Sequence, residues 1–521
     1  MFRTISNFCR LWHVARTLAR HDALIPHEYT AAMPRWARFA RALLGSRTKA
    51  DAAPGARLAQ ALENLGPAHI KLGQVLATRP DIVGAEIATA LEGLQDNLPP
   101  FPTDVARRAI EESLGKPVDL VFSFFGDPVA AASIAQVHSA RLAADARHVA
   151  VKVLRPGIEE EFSREVEALG LAARIAEKFS AEARRLRLTA LVETLAASVA
   201  LELDLRMEAA AASELAERTR QDAGFRVPTI VWDLTSSRVL TSEWIDGTPI
   251  RDPVALMAAG HDPKKLALTI VRSFLSQALR DGFFHADMHP GNLFVDANGN
   301  LVVVDFGIMG RLDPTMRRFM AETLAGFLAR DYERVARIHY DVAFVPSHHP
   351  VETFAQALRA IGEPIFGRPA REMSMARLLQ QLFDTTRRFD MEAQPQLLLL
   401  QKTMVVVEGV ARSLDPDFDI WEASRPVAEK WVIANLGPEA RLREVGEGFG
   451  ALGRLAQNLP QLVRNAENLS AMLAEGGVRL HPDSAQAIAA AQAARTRNGR
   501  VALWIAAAAL VVLAVLMLRL I

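Results

Sequence analysis

The spacing of apolar and polar residues changes character several times along this chain, and each change marks a boundary between structural regimes. Residues 11 to 115 read as helices punctuated by Pro26, Pro34, Gly66-Pro67, Pro80 and Pro99-Pro100. Around 118 to 154 the texture shortens. DLVFSFFGDPVAAASIAQVHSARL and HVAVKVLRPG predict short strands with turns between them. Residues 159 to 220 return to long, Ala- and Glu-rich helical sequence, and strand-like pieces follow at 226 to 247. A helix is expected from about 264 to 281, strand and loop over 283 to 309, and helix for nearly everything after 312. There is no repeat. A small mixed unit followed by a larger helical one predicts an α+β arrangement with a cleft between the two.

The two ends depart from this pattern. Val501 to Leu518, VALWIAAAALVVLAVLML, is unbroken apolar sequence. A helix rising about 1.5 Å per residue needs roughly 20 residues to cross the hydrocarbon core. With its flanks this segment is long enough, and it lacks the polar stripe of a buried helix. The basic run Arg495-Thr496-Arg497-Asn498-Gly499-Arg500 predicts that the part before it stays in the cytoplasm, held by a C-terminal tail anchor. At the other end, Arg3, Arg10, Arg16 and Arg20 alternate with Phe2, Ile5, Phe8, Trp12 and Leu18, without the apolar block of a cleaved signal. Two readings are open for this segment: a basic helix lying on an anionic membrane, or an ordinary helix packed on the domain.

Composition sets outer limits. A chain of 521 residues is too long for one core, so two or three folded units are expected. Hydrophobic residues at 50% and charged ones at 23% exclude disorder as the main state. Sixty Lys+Arg against sixty Asp+Glu argue against a general nucleic-acid binder, whose affinity comes from neutralising phosphates. The single cysteine, Cys9, cannot form an internal disulfide.

The chemistry concentrates in one window, His285-Ala-Asp287-Met-His289-Pro-Gly-Asn292-LFVDANGNLVVV-Asp305-Phe306-Gly307. Asn298-Gly299 is the dipeptide of a two-residue hairpin turn. Closing that turn would set Asn292 opposite Asp305, with Cβ atoms about 4.5–5.5 Å apart. An amide oxygen and a carboxylate so placed can share one hard cation, and Mg2+ takes oxygen ligands together with substrate phosphates. Asp287, five residues before Asn292, reaches the same mouth and could orient or deprotonate a hydroxyl or water. The His285-x-Asp287-x-His289 spacing also permits a zinc set, although Pro290-Gly291 makes this a loop and zinc leaves the Asn292–Asp305 pair unexplained.

This layout is similar to the protein-kinase catalytic loop and its metal-binding Asp-Phe-Gly, and a kinase reading makes demands upstream. Val149-Ala150-Val151-Lys152 supplies a strand lysine for nucleotide phosphates, and Glu202, Asp204 and Glu208 offer three carboxylates to pair with it. Asp204 and Glu208, at i and i+4, would share a helix face where like charges repel unless Lys152 or a metal lies between them. The phosphate-covering loop departs from the usual pattern. It runs Val129-Ala130-Ala131-Ala132-Ser133-Ile134-Ala135-Gln136-Val137, and alanine lacks the freedom of glycine, so a stiffer cover is expected. His-Ala-Asp replaces His-Arg-Asp, and after the DFG the chain enters GRLDPTMRRFMAETL with no Ala-Pro-Glu and no long activation loop. ATP use is expected, and ordinary protein phosphorylation is not.

Lys71-Leu72-Gly73-Gln74, the Ala-rich AAASIAQVH, VAVKV, ELDLRMEA, EWIDG, FFHADMHPGNLFV, VDFG and QPQLLLLQKTMVVVEGVAR together closely resemble the aarF-domain (UbiB) family of atypical kinases, over roughly residues 20 to 435. The resemblance implies an atypical protein-kinase-like bilobal fold with a helical N-terminal extension (1–117), a kinase-like N-lobe with inserted helices (118–246), a helical C-lobe (247–435), a helical linker (436–500) and a transmembrane anchor (501–521). Members of the family often end in two membrane helices, whereas this chain shows one. By resemblance, Lys71 and Gln74 belong to an extension that limits entry to the site, Glu202 and Asp204 meet that extension, and Glu208 pairs with Lys152. By the same resemblance, Asp287 matches the catalytic-loop aspartate, and Asn292 and Asp305 match the metal ligands. The resemblance implies ATP and Mg2+ as cofactors, a site at the inner face of the bacterial cytoplasmic membrane, and polyprenyl-phenol quinone precursors, ubiquinone-biosynthesis enzymes and a second copy of the chain as partners. A small-molecule or lipid kinase and a non-enzymatic nucleotide-binding scaffold are the alternative readings.

Overall fold

Proline and glycine cut the N-terminal region into short helices, as their positions predict: α1 (Phe2–Arg20), α2 (Pro54–Leu65), α3 (Pro67–Ala77), α4 (Ala85–Leu91) and α5 (Thr103–Leu114). Pro54 and Pro67 occupy first helical positions, where the missing N–H has no intrahelical partner to lose. This computed structural model describes residues 2–23, 53–77, 83, 85–91, 94, 99–132, 134–179, 184, 187–366, 381, 385, 388–391 and 395–436. The first helix packs on the body. Ala19 is buried, Arg10 pairs with Glu165, and a buried Arg57–Asp22 ion pair of 2.6 Å joins α2 to the residues just after α1.

After one helical turn at Val118–Val121, the expected strands form β1 (Phe122–Ala131), β2 (Ala135–Leu142) and β3 (His148–Leu154). They make an antiparallel sheet in the order β1-β2-β3-β5, where β5 is Val239–Glu243. Pro128 sits on the edge strand β1, among register shifts, where its missing donor is harmless. Alternation gives the sheet two apolar faces. Val149, Val151, Val153 and Val239 pack with Phe101, Ala106 and Ile110 around α5. Ala135, Leu154 and Leu240 pack on the other side with α6 (Ile158–Phe179), α7 (Leu188–Glu202) and α8 (Leu205–Arg218), through Phe162, Leu195 and Ala209. Lys152 lies between Val151 and Val153 and so belongs to the face that looks toward α8.

The second lobe has its own sheet, β4 (Phe225–Arg226), β9 (Leu301–Val303), β8 (Leu293–Asp296) and β6 (Gly247–Pro249), with only the β4–β9 pair parallel. Beta4 thus lies in sequence between N-lobe elements yet pairs with the C-lobe strands. After α9 (Pro253–Ala258), α10 (Pro263–Ser276) begins at an Asp262 cap followed by proline. It buries Leu266, Ile270 and Phe274 in a core shared with Phe283, Phe284 and Val407. Beta7 (Phe283–His285) pairs with β10 (Met309–Arg311). The remaining described helices are α11 (Pro314–Leu328), α12 (Tyr332–Asp341), α13 (Val351–Phe366), α14 (Pro395–Leu414) and α15 (Ile420–Leu436). The expected linker beyond residue 436 and the expected anchor at 501–521 lie outside the described residues; among those described, no helix is long and apolar enough to cross a membrane.

One expectation about register is corrected. The β8–β9 hairpin pairs Leu293 with Val303 and Val295 with Leu301, which leaves three loop residues, Ala297, Asn298 and Gly299, in place of two. The cause is Asp296. Its carboxylate accepts the backbone N–H groups of Asn298 and Asn300 at 3.0 and 2.9 Å, and its carbonyl accepts Gly299 N–H at 2.9 Å. Only Gly299 takes a positive φ, +82°, the pattern of a turn ending in a left-handed residue. Asn292 therefore stands opposite Val304, whose N–H donates to its carbonyl at 2.9 Å, and Asp305 lies one residue beyond.

Candidate active site

Lys152 of β3 and Glu208 in the first turn of α8 meet with Nζ–oxygen distances of 2.8 and 2.9 Å, and Asp305 joins them at 3.2 Å. Of the three carboxylates available to the lysine, Glu208 is the one that pairs with it. Asp204 is drawn away because it caps α8. It has extended backbone, accepts the Arg206 N–H, and binds the Arg206 guanidinium at 2.9 and 2.6 Å. The expected repulsion between Asp204 and Glu208 on one helix face is thereby avoided. Burial opposes the charge on Lys152, but Asp305 and Glu208 outweigh it and raise its pKa. Lys152 in turn holds Asp305 well below the usual carboxylate range, against burial. Glu208 moves up, because burial and then the Asp305 charge oppose the pull of Lys152. The Lys152 and Glu208 side chains are 16% and 10% exposed while Asp305 is 47% exposed, so the triad opens to solvent on the Asp305 side.

Asp305 has a φ of +64°, which turns the chain out of the hairpin. Such a conformation is uncommon outside glycine and tends to mark functional sites. The carbonyl of Asp305 accepts His285 Nε2–H at 2.8 Å, while His285 Nδ1 accepts the Asp287 N–H at 3.2 Å. Those two bonds fix the tautomer, and burial lowers the pKa of this fully buried imidazole despite its bond to Asp305. Both ring nitrogens are consumed, so the His285-Asp287-His289 zinc set does not form. Asn292 donates through Nδ2 to the Asp287 carbonyl and carboxylate at 3.1 and 3.3 Å, which leaves its amide oxygen as the atom available to a cation. His289 Nε2 lies 3.7 Å from the Asp287 carboxylate. Gly310, soon after the DFG, lies flat on the Phe284 ring; a Cβ there would come within 2.1 Å of it.

Two positioning residues escaped the sequence reading. Thr403 of α14 donates to the Ala286 carbonyl at 3.0 Å across 117 residues, and Gln277 accepts the His285 N–H at 3.2 Å. Gln277 opens a π-helical turn, Gln277–Asp281, immediately before β7; such turns recur at functional sites.

The segment expected to cover the phosphates is a tight hairpin. Val129, Ala130 and Ala131 end β1, Ala132 and Ile134 belong to the turn, and Ala135, Gln136 and Val137 begin β2. Ala132 N–H donates to the Ala135 carbonyl at 2.8 Å, and Ser133 lies outside the described residues. Val137 pairs with Lys152 and shares its face of the sheet. Gln136 faces the opposite way. It is 1% exposed, accepts the Phe101 N–H at 2.9 Å and donates to the Phe101 carbonyl at 3.1 Å, so its amide serves the hairpin's anchorage and not a nucleotide. Lys71 of α3 meets Glu202 at 2.7 Å, and Gln74 sits half-buried one turn further along. The extension thus contacts the acidic segment through Glu202, while Asp204 is engaged with Arg206.

The donors at Asp305 and Asn292 are hard oxygens and suit Mg2+, with Lys152 beside them for phosphates. The ABC1 atypical kinase-like domain model matches residues 93–339, and the UbiB helical domain model matches 358–419. A protein named "Probable protein kinase UbiB" from Marinobacter nauticus is 41% identical over 466 residues, covering 88% of this chain and 85% of its own. Its namesake from Pseudomonas putida strain GB-1 is 40% identical over 477 residues, covering 89% and 86%. Among solved structures, the complex of Rv3197 and erythromycin from Mycobacterium tuberculosis is similar with a TM-score of 0.50 and 25% identity, over 70% of this chain and 93% of that one. With a kinase-like sheet, a lysine–glutamate–DFG triad and relatives matched over most of both chains, this chain belongs to the UbiB family of ABC1 atypical kinase-like proteins.

Proposed function

We propose that this chain is a membrane-anchored ATPase or atypical kinase that supports ubiquinone biosynthesis, acting on polyprenyl-phenol intermediates or giving the biosynthetic enzymes access to them. The observation that carries the catalytic part is Asp305, ionised between Lys152 and solvent one residue past the Asn292–Val304 pair. Asn292 and Asp305 would hold Mg2+, Lys152 would hold phosphates with Glu208 fixing it, and the 129–137 hairpin would cover them. Mg2+–ATP held there would supply the transferable phosphoryl group, and the Mg2+ would offset the charge that develops on it. Asp287, kept in place by Asn292 and by the backbone bond to His285, orients a hydroxyl or a water and takes its proton.

The chain passes from Gly307 through β10 directly into α11 at Pro314, which gives a protein substrate no long activation segment to dock on. That favours a small or lipid acceptor, or water. The apolar 501–518 segment supports work at a membrane, and the family supports the quinone pathway. Incubation of the purified chain with γ-labelled ATP and membrane extract tests the reaction. Free phosphate alone favours the ATPase, a labelled lipid favours the kinase, and neither with nucleotide still bound leaves a scaffold. Quinone analysis of a deletion strain tests the pathway: the wild-type chain restores ubiquinone and Asp287→Asn does not. Removal of 501–521 should release the protein to the soluble fraction; retention on membranes would move the anchor elsewhere.

A further inference from the structure

A second cluster of ligand-type side chains lies in the helical region after α12. His348 and His349 sit in the turn before α13, and Asp390 follows 41 residues later. We propose that these three side chains bind one divalent transition-metal ion, Zn2+ by chemistry, at a site that shares no residue with the nucleotide cleft.

The spacing carries the argument. His349 Nε2 and His348 Nε2 lie 3.3 and 3.7 Å from the same oxygen, Asp390 Oδ2, and the ligand atoms of all three residues fall within 4.8 Å of one another. A good N–H···O bond has its heavy atoms about 2.9–3.0 Å apart, so neither contact is well made as a hydrogen bond. With metal–ligand bonds of about 2.0–2.1 Å, however, neighbouring corners of a coordination tetrahedron stand about 3.3–3.4 Å apart. Two imidazole nitrogens converge on one carboxylate oxygen, one at that separation and the other 3.7 Å away, and drawing the three together would set a metal at their centre.

The ligands are also held. The Tyr340 hydroxyl donates to the His349 carbonyl at 2.8 Å, and the His349 ring meets buried Phe389 edge to face at 5.2 Å. His348 packs on His349 with ring centroids 4.1 Å apart. Asp390, directly after Phe389, adopts a left-handed backbone with φ +51°, which aspartate tolerates better than most residues. Two imidazoles and a carboxylate suit Zn2+, Co2+ or Ni2+, whereas Mg2+ prefers an all-oxygen shell. His348 and Asp390 are 65% and 68% exposed, so the ion enters from solvent and a fourth position remains for water. Bound there, it would pin the turn before α13 to the segment leading toward α14, the helix whose Thr403 holds the catalytic-loop carbonyl of Ala286.

The test uses the full chain in detergent, without a histidine tag, stripped by chelator and titrated with Co2+ alone, then Zn2+. The expected result is one Co2+ per chain with the visible band of a tetrahedral site, displaced by Zn2+ and untouched by excess Mg2+. Asp390→Asn and His348→Gln should each weaken binding by at least about tenfold, while Asp305→Asn, which disables the cleft, leaves it unchanged. Zn2+ should raise the melting temperature of the wild-type chain and not that of His349→Ala. Melting curves of the metal-free variants check that they fold, as the exposure of His348 and Asp390 leads one to expect. Absence of the band in the wild-type chain, or a band equal to wild type in Asp390→Asn, His348→Gln and His349→Ala, would overturn the site.

Discussion

The catalytic side of the cleft and its cover are held by different physics. On the catalytic side, charged and polar side chains fix one another: Lys152 with Glu208 and Asp305, His285 between the Asp305 carbonyl and the Asp287 amide, and Asn292 on Asp287. On the side expected to cover the site, Lys71 pairs with Glu202, and an Ala-rich hairpin is tied to the Phe101 backbone by Gln136. Under the proposed function, chemistry would depend on these charges, whereas access would depend on packing and backbone geometry. Substitutions on the two sides should separate accordingly.

The largest effect is expected on the catalytic side. Asp305→Asn should lower Mg2+-dependent ATP hydrolysis roughly a thousandfold, about 4 kcal/mol of barrier, with little change in melting temperature. Lys152→Ala should abolish turnover as well and also destabilise the fold by about 3 kcal/mol, because Glu208 is left nearly buried without its cation. Adding Glu208→Gln should restore the stability and not the turnover. If turnover returned, the triad would not be the catalytic centre.

Gln136→Leu sharpens the contrast. It should cost about 2 kcal/mol in urea unfolding, since both backbone groups of Phe101 lose their partner. A rise in the KM for ATP with unchanged stability would instead put the Gln136 side chain on the nucleotide. Lys71→Ala should act the other way from Asp305→Asn. If the extension limits entry, breaking the Lys71–Glu202 pair should admit ligand more readily, and turnover should rise roughly fivefold, about 1 kcal/mol of barrier. A fall in turnover would make Lys71 part of the catalytic machinery.

A further effect is graded with pH. His138, His285 and His339 are buried, and burial lowers the pKa of each, that of His339 to about 4. The unfolded chain takes up protons near pH 6.5, where the folded chain does not. Stability is therefore full above that pH and falls as the pH drops through it, by at most roughly 1.4 kcal/mol per pH unit for each histidine. An unfolding midpoint that stays flat from pH 7 to about 5 would contradict the buried, neutral assignment.

The meeting of Lys152 with Asp305 and of Asn292 with Asp287 was legible in the sequence because these residues come at spacings that few other arrangements require. The hairpin between them was misjudged by one residue, since the Asn298-Gly299 dipeptide competes with the Asp296 carboxylate for the turn backbone. Asp204 carried a readable signal, an aspartate just before a helix, that was outweighed by its charge. Thr403 and Gln136 were opaque for a common reason: their partners lie 117 and 35 residues away, and no local pattern announces a side chain that serves a distant backbone.

The central claim is that Lys152, Glu208, Asn292 and Asp305 form one Mg2+–nucleotide site. Calorimetric titration of the full chain with ATP, with and without Mg2+, tests it most directly when run on the wild-type protein and on Asp305→Asn. The account predicts that Mg2+ strengthens ATP binding to the wild-type chain by at least about tenfold, about 1.4 kcal/mol, and that this gain vanishes in Asp305→Asn. An equal Mg2+ effect in both proteins would contradict it.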